Sequence, residues 1–366
     1  MFFKQGVPFL LALLLIMGCL CSLGTAAEIM TVTSDGPDSV TIKDYSDREV
    51  TIRQPVERIV ILDAHQQLTS ALQAMGLYDR IVGIDTDTAK ETGLFPNIKQ
   101  KTVIGTRKEL DIEQILELKP DVVFDVGTYP GDEIKKMEDA GLTVVSISLF
   151  PTPKNGFKPT IENTRVLGSI VRAKEKANRF ADWKKHYLDI IDERVSNLSE
   201  KDRPLTLYTY KWKDNSIFGA GSKNRFHYVL DYIGSTDMNK DLAEDWAEID
   251  LEAVIKDNPS YIIFEEMDHK SGYGIRDQTG MKDKITSLKA VPGFQNVDAV
   301  KNNKIYGLPM SVLSGDTWLG AIYLAPKLHP DLFKDFDPVK IHQEYIDTFM
   351  GVDEDISKDI FLYPKA

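Results

Sequence analysis

Apolar and polar positions change period several times along the chain, and each change predicts an element. Residues 40–62, VTIKDYSDREVTIRQPVERIVIL, alternate around Tyr45-Ser46-Asp47 and then run apolar from Ile59 to Leu62. Alternation about a turn predicts a hairpin, and the unbroken run predicts a strand buried on both faces. A helix follows from about His65 to Met75, then IVGI at 81–84, a helix over 111–118, VVF, a helix near 132–140, and VVSIS. This is the strand-helix-strand order of a parallel sheet covered by helices. Residues 160–198 hold almost no Gly or Pro and place Ile161, Leu167, Ile170, Phe180, Leu188, Ile191 and Val195 at helical spacing. The stretch 173–198 alone would reach roughly 40 Å as one helix. Beyond Pro204 the alternation resumes with LTLYTY, SIFG, NRFHYVLDYIG, YIIF and KIYGL. The expected fold is therefore α/β, two lobes joined by a long helix. Its parts are a leader at 1–27, a flexible tether at 28–39, an N-terminal lobe at 40–157, a connecting helix at 158–200, a C-terminal lobe at 201–349 and a tail at 350–366. The Gly-rich stretch 267–281 reads as a rim or lid.

Length agrees, because 366 residues exceed the roughly 250–300 that one hydrophobic core serves. The leader carries one Lys, an apolar stretch from Val7 to about Met17, and small residues ending at Ala26 and Ala27. That stretch falls short of the roughly 20 residues of a spanning helix and reads as a secretory signal, which places the mature chain outside the cytoplasm. Ile16-Met17-Gly18-Cys19 resembles a lipoprotein cleavage site, with Cys19 as the lipidated residue, although Met17 is unusual there. Both cysteines, Cys19 and Cys21, lie in the leader, so the mature chain relies on packed cores and is expected to be a monomer. Losing the leader removes Lys4 and no acid, taking the net charge from -12 to -13. Such a balance argues against nucleic-acid binding.

One short pattern occurs twice. DIEQILELKPDVVF starts at Asp111, and DLEAVIKDNPSYIIF starts at Asp250. In each copy the Asp can cap a helix, Ile112, Ile115 and Leu116 (Leu251, Val254 and Ile255) form an apolar stripe, and the Pro ends the helix before a strand. Glu113 and Glu252 fall in the first turn, as dipole-compensating acids or as acids that do something further.

With these motifs, the chain resembles the substrate-binding proteins of ABC importers for iron-siderophores, haem and cobalamin. The resemblance runs through VTIKDYSDREVTIRQPVERIVIL, DIEQILELKPDVVF, AGLTVVSI, LGSIVRAKEKANRF, DLEAVIKDNPSYIIF and AVKNNKIYGLP. It implies two Rossmann-like lobes joined by a long interlobe helix, the class III periplasmic-binding-protein architecture, with a ligand cleft between the lobes. It also implies a permease dimer with a cytoplasmic ATPase as partner, docked through Glu113 and Glu252 at the two lobe tips. No cofactor and no catalysis are expected.

Ligands of parallel α/β sheets lie beyond the carboxyl ends of the strands. Arg107 and Trp246, each six residues before a motif Glu, are equivalent positions that the family turns toward the cleft. Cobalamin binders resembled here usually carry Trp at both, so Arg107 argues against cobalamin. Arg107, Lys211, Lys213, Lys223 and Arg225 could grip an anionic metal chelate, with Tyr129, Tyr210, Trp212 and Trp246 packed on its flat parts. His65 is a ligand contact or a helix-start hydrogen bond, and Trp318 a rim aromatic or the start of a packed helix. The first function reading is capture of a ferric siderophore-like chelate, with cobalamin or haem as alternative. Direct metal-ion binding would need His65, His227, Glu265 and His269 to converge. An enzyme is disfavoured, since there is no HxxxH, no GxSxG elbow, and GAGSKN lacks the third Gly of a dinucleotide fingerprint. A surface sensor built on the binding fold is the third class.

Overall fold

The computed structural model describes residues 28–364 apart from 64, 91, 92, 96, 128, 214 and 215. The leader, including Cys19, lies outside the described residues. Three antiparallel strands come first: β1 (Thr31–Asp35), β2 (Ser39–Lys43) and β3 (Glu49–Arg53). In the β2–β3 hairpin Val40 faces Ile52 across the strands, and Val40, Ile42 and Ile52 are buried together. The predicted tether is thus a correction. Residues 31–35 pair with β2, Met30 is buried with its N–H on Asn163, and Asp35 receives both Arg172 and Lys174. Paired backbone and two ion pairs replace the flexibility that polar composition suggested.

The N-terminal lobe then winds through β4 (Ile59–Leu62), α1 (Gln67–Ala74), β5 (Ile81–Ile84), β6 (Thr102–Val103), β7 (Gly105–Thr106), β8 (Glu109–Leu110), α2 (Ile112–Glu117), β9 (Val122–Asp125), α3 (Gly131–Asp139) and β10 (Val144–Ser146). Its sheet is parallel, in the order β10-β9-β4-β5-β6, and Ile59 to Leu62 are fully buried, as a continuous apolar run requires.

The connecting segment is two helices, not one. α4 (Lys158–Ile170) stops where Arg172 turns left-handed at φ 57°, and α5 (Lys174–Val195) folds back beside it. Gly168 permits the close approach, because a Cβ there would sit 2.2 Å from Ala177 Cβ. Arg165 and Lys184 cross-link the pair through Asp182 and Thr164. Helical periodicity continued through the break because the turn uses neither Gly nor Pro.

The C-terminal lobe comprises β11 (Leu205–Thr209), β12 (Lys211–Lys213), β13 (Ser216–Ala220), α6 (Arg225–Tyr232), β14 (Thr236–Asp237), β15 (Trp246–Ile249), α7 (Leu251–Asp257), β16 (Tyr261–Glu266), α8 (Thr279–Lys289), α9 (Asp298–Lys301), β17 (Ile305–Pro309), α10 (Thr317–Leu328) and α11 (Pro338–Tyr345). Four strands form a parallel sheet, β14-β11-β16-β17, and β12-β13-β15 form an antiparallel one. The segment read as a tail is packed, with Ile360 and Phe361 buried and Tyr363 exchanging backbone hydrogen bonds with Gly307. The molecule is therefore two Rossmann-like lobes joined through α4 and α5. One apolar core passes from the first sheet through α4 and α5 into α10 and the C-terminal helices, so the lobes share a spine and do not hang on a loose linker.

Candidate functional site

The carboxyl ends of both parallel sheets face one cleft. On the N-terminal side, the turn between β7 and β8 presents Arg107. That turn needs Gly105 at φ 107°, where a Cβ would meet Glu109 O at 2.4 Å. His65 follows β4, Tyr129 follows β9 and Phe150 follows β10. On the other side, Arg225 opens α6, whose cap Asn224 accepts from Phe226 N and donates to Asp245.

These groups converge. The Arg225 guanidinium lies 4.3 Å from the ring centre of Phe150, from the opposite lobe. His65 meets that same ring edge-on at 6.1 Å, and Arg107 lies 5.9 Å from the Tyr129 ring centre. Burial, aided by the Arg225 and Arg107 charges, pushes the His65 pKa down to about 3, so the imidazole is neutral at ordinary pH. Burial also lowers Arg225, against the support of Glu265, Tyr208 and Asp245, and the Arg107 charge adds to the lowering. The two guanidinium groups thus repel each other across the cleft. Burial, then the charge of Asp85, raises Tyr129 and keeps its hydroxyl protonated. Among the described residues His65 Nδ1, the Tyr129 hydroxyl and Arg225 Nε have no hydrogen-bond partner. A buried polar group left so costs about 1–3 kcal/mol. An anion with several acceptor oxygens would satisfy all three and screen the repulsion.

The other sequence candidates are placed differently. Tyr210 and Trp246 stand edge to face at 4.7 Å, and Trp246 leans on Tyr208 at 6.3 Å, beside the centre. Lys211 lies over Phe218, while Trp212 donates to Ser287 on α8. Lys211, Lys213 and Lys223 are all exposed. Trp318 is 2% exposed near the start of α10, a packed helix residue. His227 is spent on Asp237, and among the described residues no three His, Cys, Asp or Glu are arranged to hold a metal ion. The metal-ion quartet does not converge. Stretch 267–281 is an anchored rim, with Gly272 and Gly274 bonded to Ile360 and Asp359. It borders an interlobe notch of about 220 Å³ with Gln66 and Lys90. Phe150 and Tyr208 were missed. Phe150 stood at a predicted strand end, the one signal that could have found it.

Glu113 and Glu252 are exposed in the first turns of α2 and α7. Asp111 caps Gln114 N and Asp250 caps Glu252 N. Of each apolar stripe only Ile115 and Val254 are fully buried, whereas Leu116 and Ile255 are 40% and 37% exposed. A helix of two turns packed on one side buries one line of side chains, and the next residue, about 100° around, faces out.

The family model described as periplasmic binding protein matches residues 59–312. An uncharacterized ABC transporter substrate-binding lipoprotein, YvrC, of Bacillus subtilis is 25% identical, covering 81% of this chain and 87% of that protein. The molybdate-binding protein MolA of Haemophilus influenzae is 24% identical over 84% of this chain and 90% of its own. MolA bound to molybdate superposes with a TM-score of 0.70 at 22% identity, covering 85% of this chain and 98% of that one. The Fe(3+)-citrate-binding protein YfmC of Bacillus subtilis is 23% identical over 84% and 88%.

Proposed function

The chain belongs to the periplasmic binding protein family, solute-binding components of ABC importers and not enzymes, and from that premise we propose that it captures an anionic iron complex, a ferric siderophore-like chelate, between its lobes. The observation that carries this reading is the facing of Arg107 and Arg225 from opposite lobes, with three buried polar atoms around them lacking partners. An oxygen-rich anion supplies the missing acceptors and joins the lobes at once. His65, Arg107, Tyr129 and Arg225 form the centre of the site, and Tyr210 and Trp246 its aromatic side. The similarity to a ferric-citrate binder supports an iron complex, and Arg107 in place of an aromatic disfavours a corrinoid. The loaded protein is delivered to a permease dimer with its ATPase through Glu113 and Glu252. It works outside the cytoplasm; among the described residues no helix is long and apolar enough to cross a membrane.

A second reading is a bare oxyanion. The enclosure of Arg225 against Phe150 suits a compact ligand, and MolA is named for molybdate. Native mass spectrometry and calorimetry of the mature protein with ferric citrate, a ferric siderophore, haem, cobalamin and molybdate separate these cases. Binding of a ferric complex that is lost in Arg107→Ala is expected. Tight cobalamin or haem binding with no response to ferric complexes moves the assignment to the runner-up, and molybdate binding alone moves it to the oxyanion.

A further inference from the structure

His65 is presented by an irregular turn that its own lobe fixes only in part. After β4 the Asp63 carboxylate accepts Thr69 N and Thr69 Oγ1 at 2.8 and 2.9 Å, which ties the turn to the start of α1. Gln66, just before that helix, is left-handed at φ 67° and makes no side-chain cap. A residue strained in this way persists only where the surrounding structure holds it.

The holding structure comes from the other lobe. Ser311–Gly315 form a single wide helical turn between β17 and α10, closed by Asp316 N on Ser311 O at 2.9 Å. Turns of this π type gather at functional sites. Gly315 lies against the His65 backbone, since a Cβ on it would stand 2.8 Å from His65 O. Its own carbonyl accepts Gln67 Nε2 at 3.2 Å, and both residues are buried. The next residue, Asp316, is hydrogen-bonded by Ser70 on α1. Residues 65, 67 and 70 of one lobe are thus gripped by 315 and 316 of the other.

The same turn reaches the cationic half of the site. Ser314 is buried and hydrogen-bonded to the Glu265 carboxylate, which also accepts from Tyr208 at 2.6 Å and supports the Arg225 charge. Three consecutive residues, 314 to 316, therefore connect the carboxylate that backs Arg225 with the turn that carries His65.

We propose that Gly315 and Gln67 are positioning residues that hold His65 in place opposite Arg225, so that the C-terminal lobe sets both walls of the site. The proposal rests on the anionic-ligand reading above, in which His65 and Arg225 touch the ligand. An oxygen-rich anion needs its partners at a fixed separation, and a clamp from the opposite lobe supplies that separation before the ligand arrives.

The test follows the His65 imidazole by NMR in Gln67→Leu and Gly315→Ala, its signals assigned by their loss in His65→Asn. Gln67→Leu removes the bond to Gly315, and Gly315→Ala places a methyl against the His65 carbonyl. In both, the imidazole should shift relative to Phe150, whose ring current marks its place. Affinity for ferric citrate is expected to fall about three- to tenfold in each. Val254→Ala, in the separate core of the C-terminal lobe, should lower the melting temperature and move neither the His65 signals nor the affinity. Unmoved signals in Gln67→Leu, or an equal shift in Val254→Ala, overturn the clamp. Should Gly315→Ala not fold, Gln67→Leu carries the same decision. Shifted signals with unchanged affinity, or a wild type that ignores ferric citrate, overturn instead the place of His65 in an anionic-chelate site, the reading on which the proposal rests.

Discussion

Two cations stand between the lobes, Lys184 buried and Arg225 half-buried, and they are completed in opposite ways. Lys184, on α5, is 2% exposed. It donates to Thr164 Oγ at 3.0 Å, lies 4.2 Å from the centre of the Phe180 ring, and feels the Asp316 carboxylate. Asp316 is held in turn by Trp318 and Tyr345. Arg225 rests on an aromatic face, beside a second guanidinium, with its Nε unmatched. The first cluster supplies its own counter-charge and acceptors, and so works as a joint. The second leaves the Arg225 Nε donor without an acceptor beside a second guanidinium, which is the condition for taking a charge from outside. Burial of a cation does not by itself mark a binding site; the state of its partners does.

The sharpest way to break the contrast is Lys184→Ala. Removing this side chain empties a packed site, takes the hydrogen bond from Thr164 and leaves Asp316 without its neighbouring counter-charge, so the chemical-denaturation midpoint should fall, while Lys184→Met together with Asp316→Asn should recover most of it. The pH dependence carries a sign. Burial pushes the Lys184 pKa down to about 7 from its ordinary 10.5, against the pull of Asp316. Between these values the unfolded chain holds a proton that the folded chain has released, so this contribution to stability rises with pH across that window. The slope should flatten in the double variant. A Lys184→Ala protein as stable as wild type would show that the joint is not one.

Arg225→Met and Arg107→Ala should behave the other way. Loss of a charge-assisted hydrogen bond to the ligand costs about 1.5–3 kcal/mol, roughly 10- to 150-fold in affinity by titration calorimetry, with folding stability held or raised because cleft repulsion falls. Phe150→Leu is the milder version. It removes the ring that orients Arg225, a cation–π contact of about 0.5–2 kcal/mol, so affinity should drop several-fold at most. If either Arg variant unfolds without losing affinity, the cleft centre is structural and the comparison collapses.

Much of this was legible in the chain. Unbroken apolar runs gave the parallel strands, strand ends pointed to His65 and Tyr129, the spacing to the repeated motif pointed to Arg107, and the need for basic groups pointed to Arg225; the fold brings these four together. Orientation was not legible. In a strand of three residues, Lys211 and Lys213 face away from Trp212 by alternation, and no pattern that short says which face meets the cleft. Nor could composition reveal the turn at Arg172, which lacks Gly and Pro, or β1, whose polar residues are held by backbone pairing and by Arg172 and Lys174. Phe150 stood among strand-end residues 148–150 but was not singled out, because its role depends on an Arg 75 positions later.

The lobe tips supply a third region, where acids are neither buried nor paired across the cleft, and the smallest effect on the protein itself. Glu113 and Glu252 stand exposed on matching short helices, each followed three residues later by an exposed apolar residue, Leu116 or Ile255. In both copies the residue before the Pro is left-handed, Lys119 at φ 46° and Asn258 at φ 50°, so the two tips end alike. Glu113→Ala and Glu252→Ala should therefore leave melting temperature and ligand affinity unchanged, since exposed first-turn acids add little to their helices. Uptake should fall nonetheless, more in the double variant than in either single one, because each loss weakens one half of a two-point attachment. Charge reversal to Lys should be worse through repulsion with basic groups on the permease. Binding and uptake measured side by side in the double variant decide the matter. Full uptake removes the docking role, and lost binding with intact folding would move these carboxylates into the site that Arg107 and Arg225 now define.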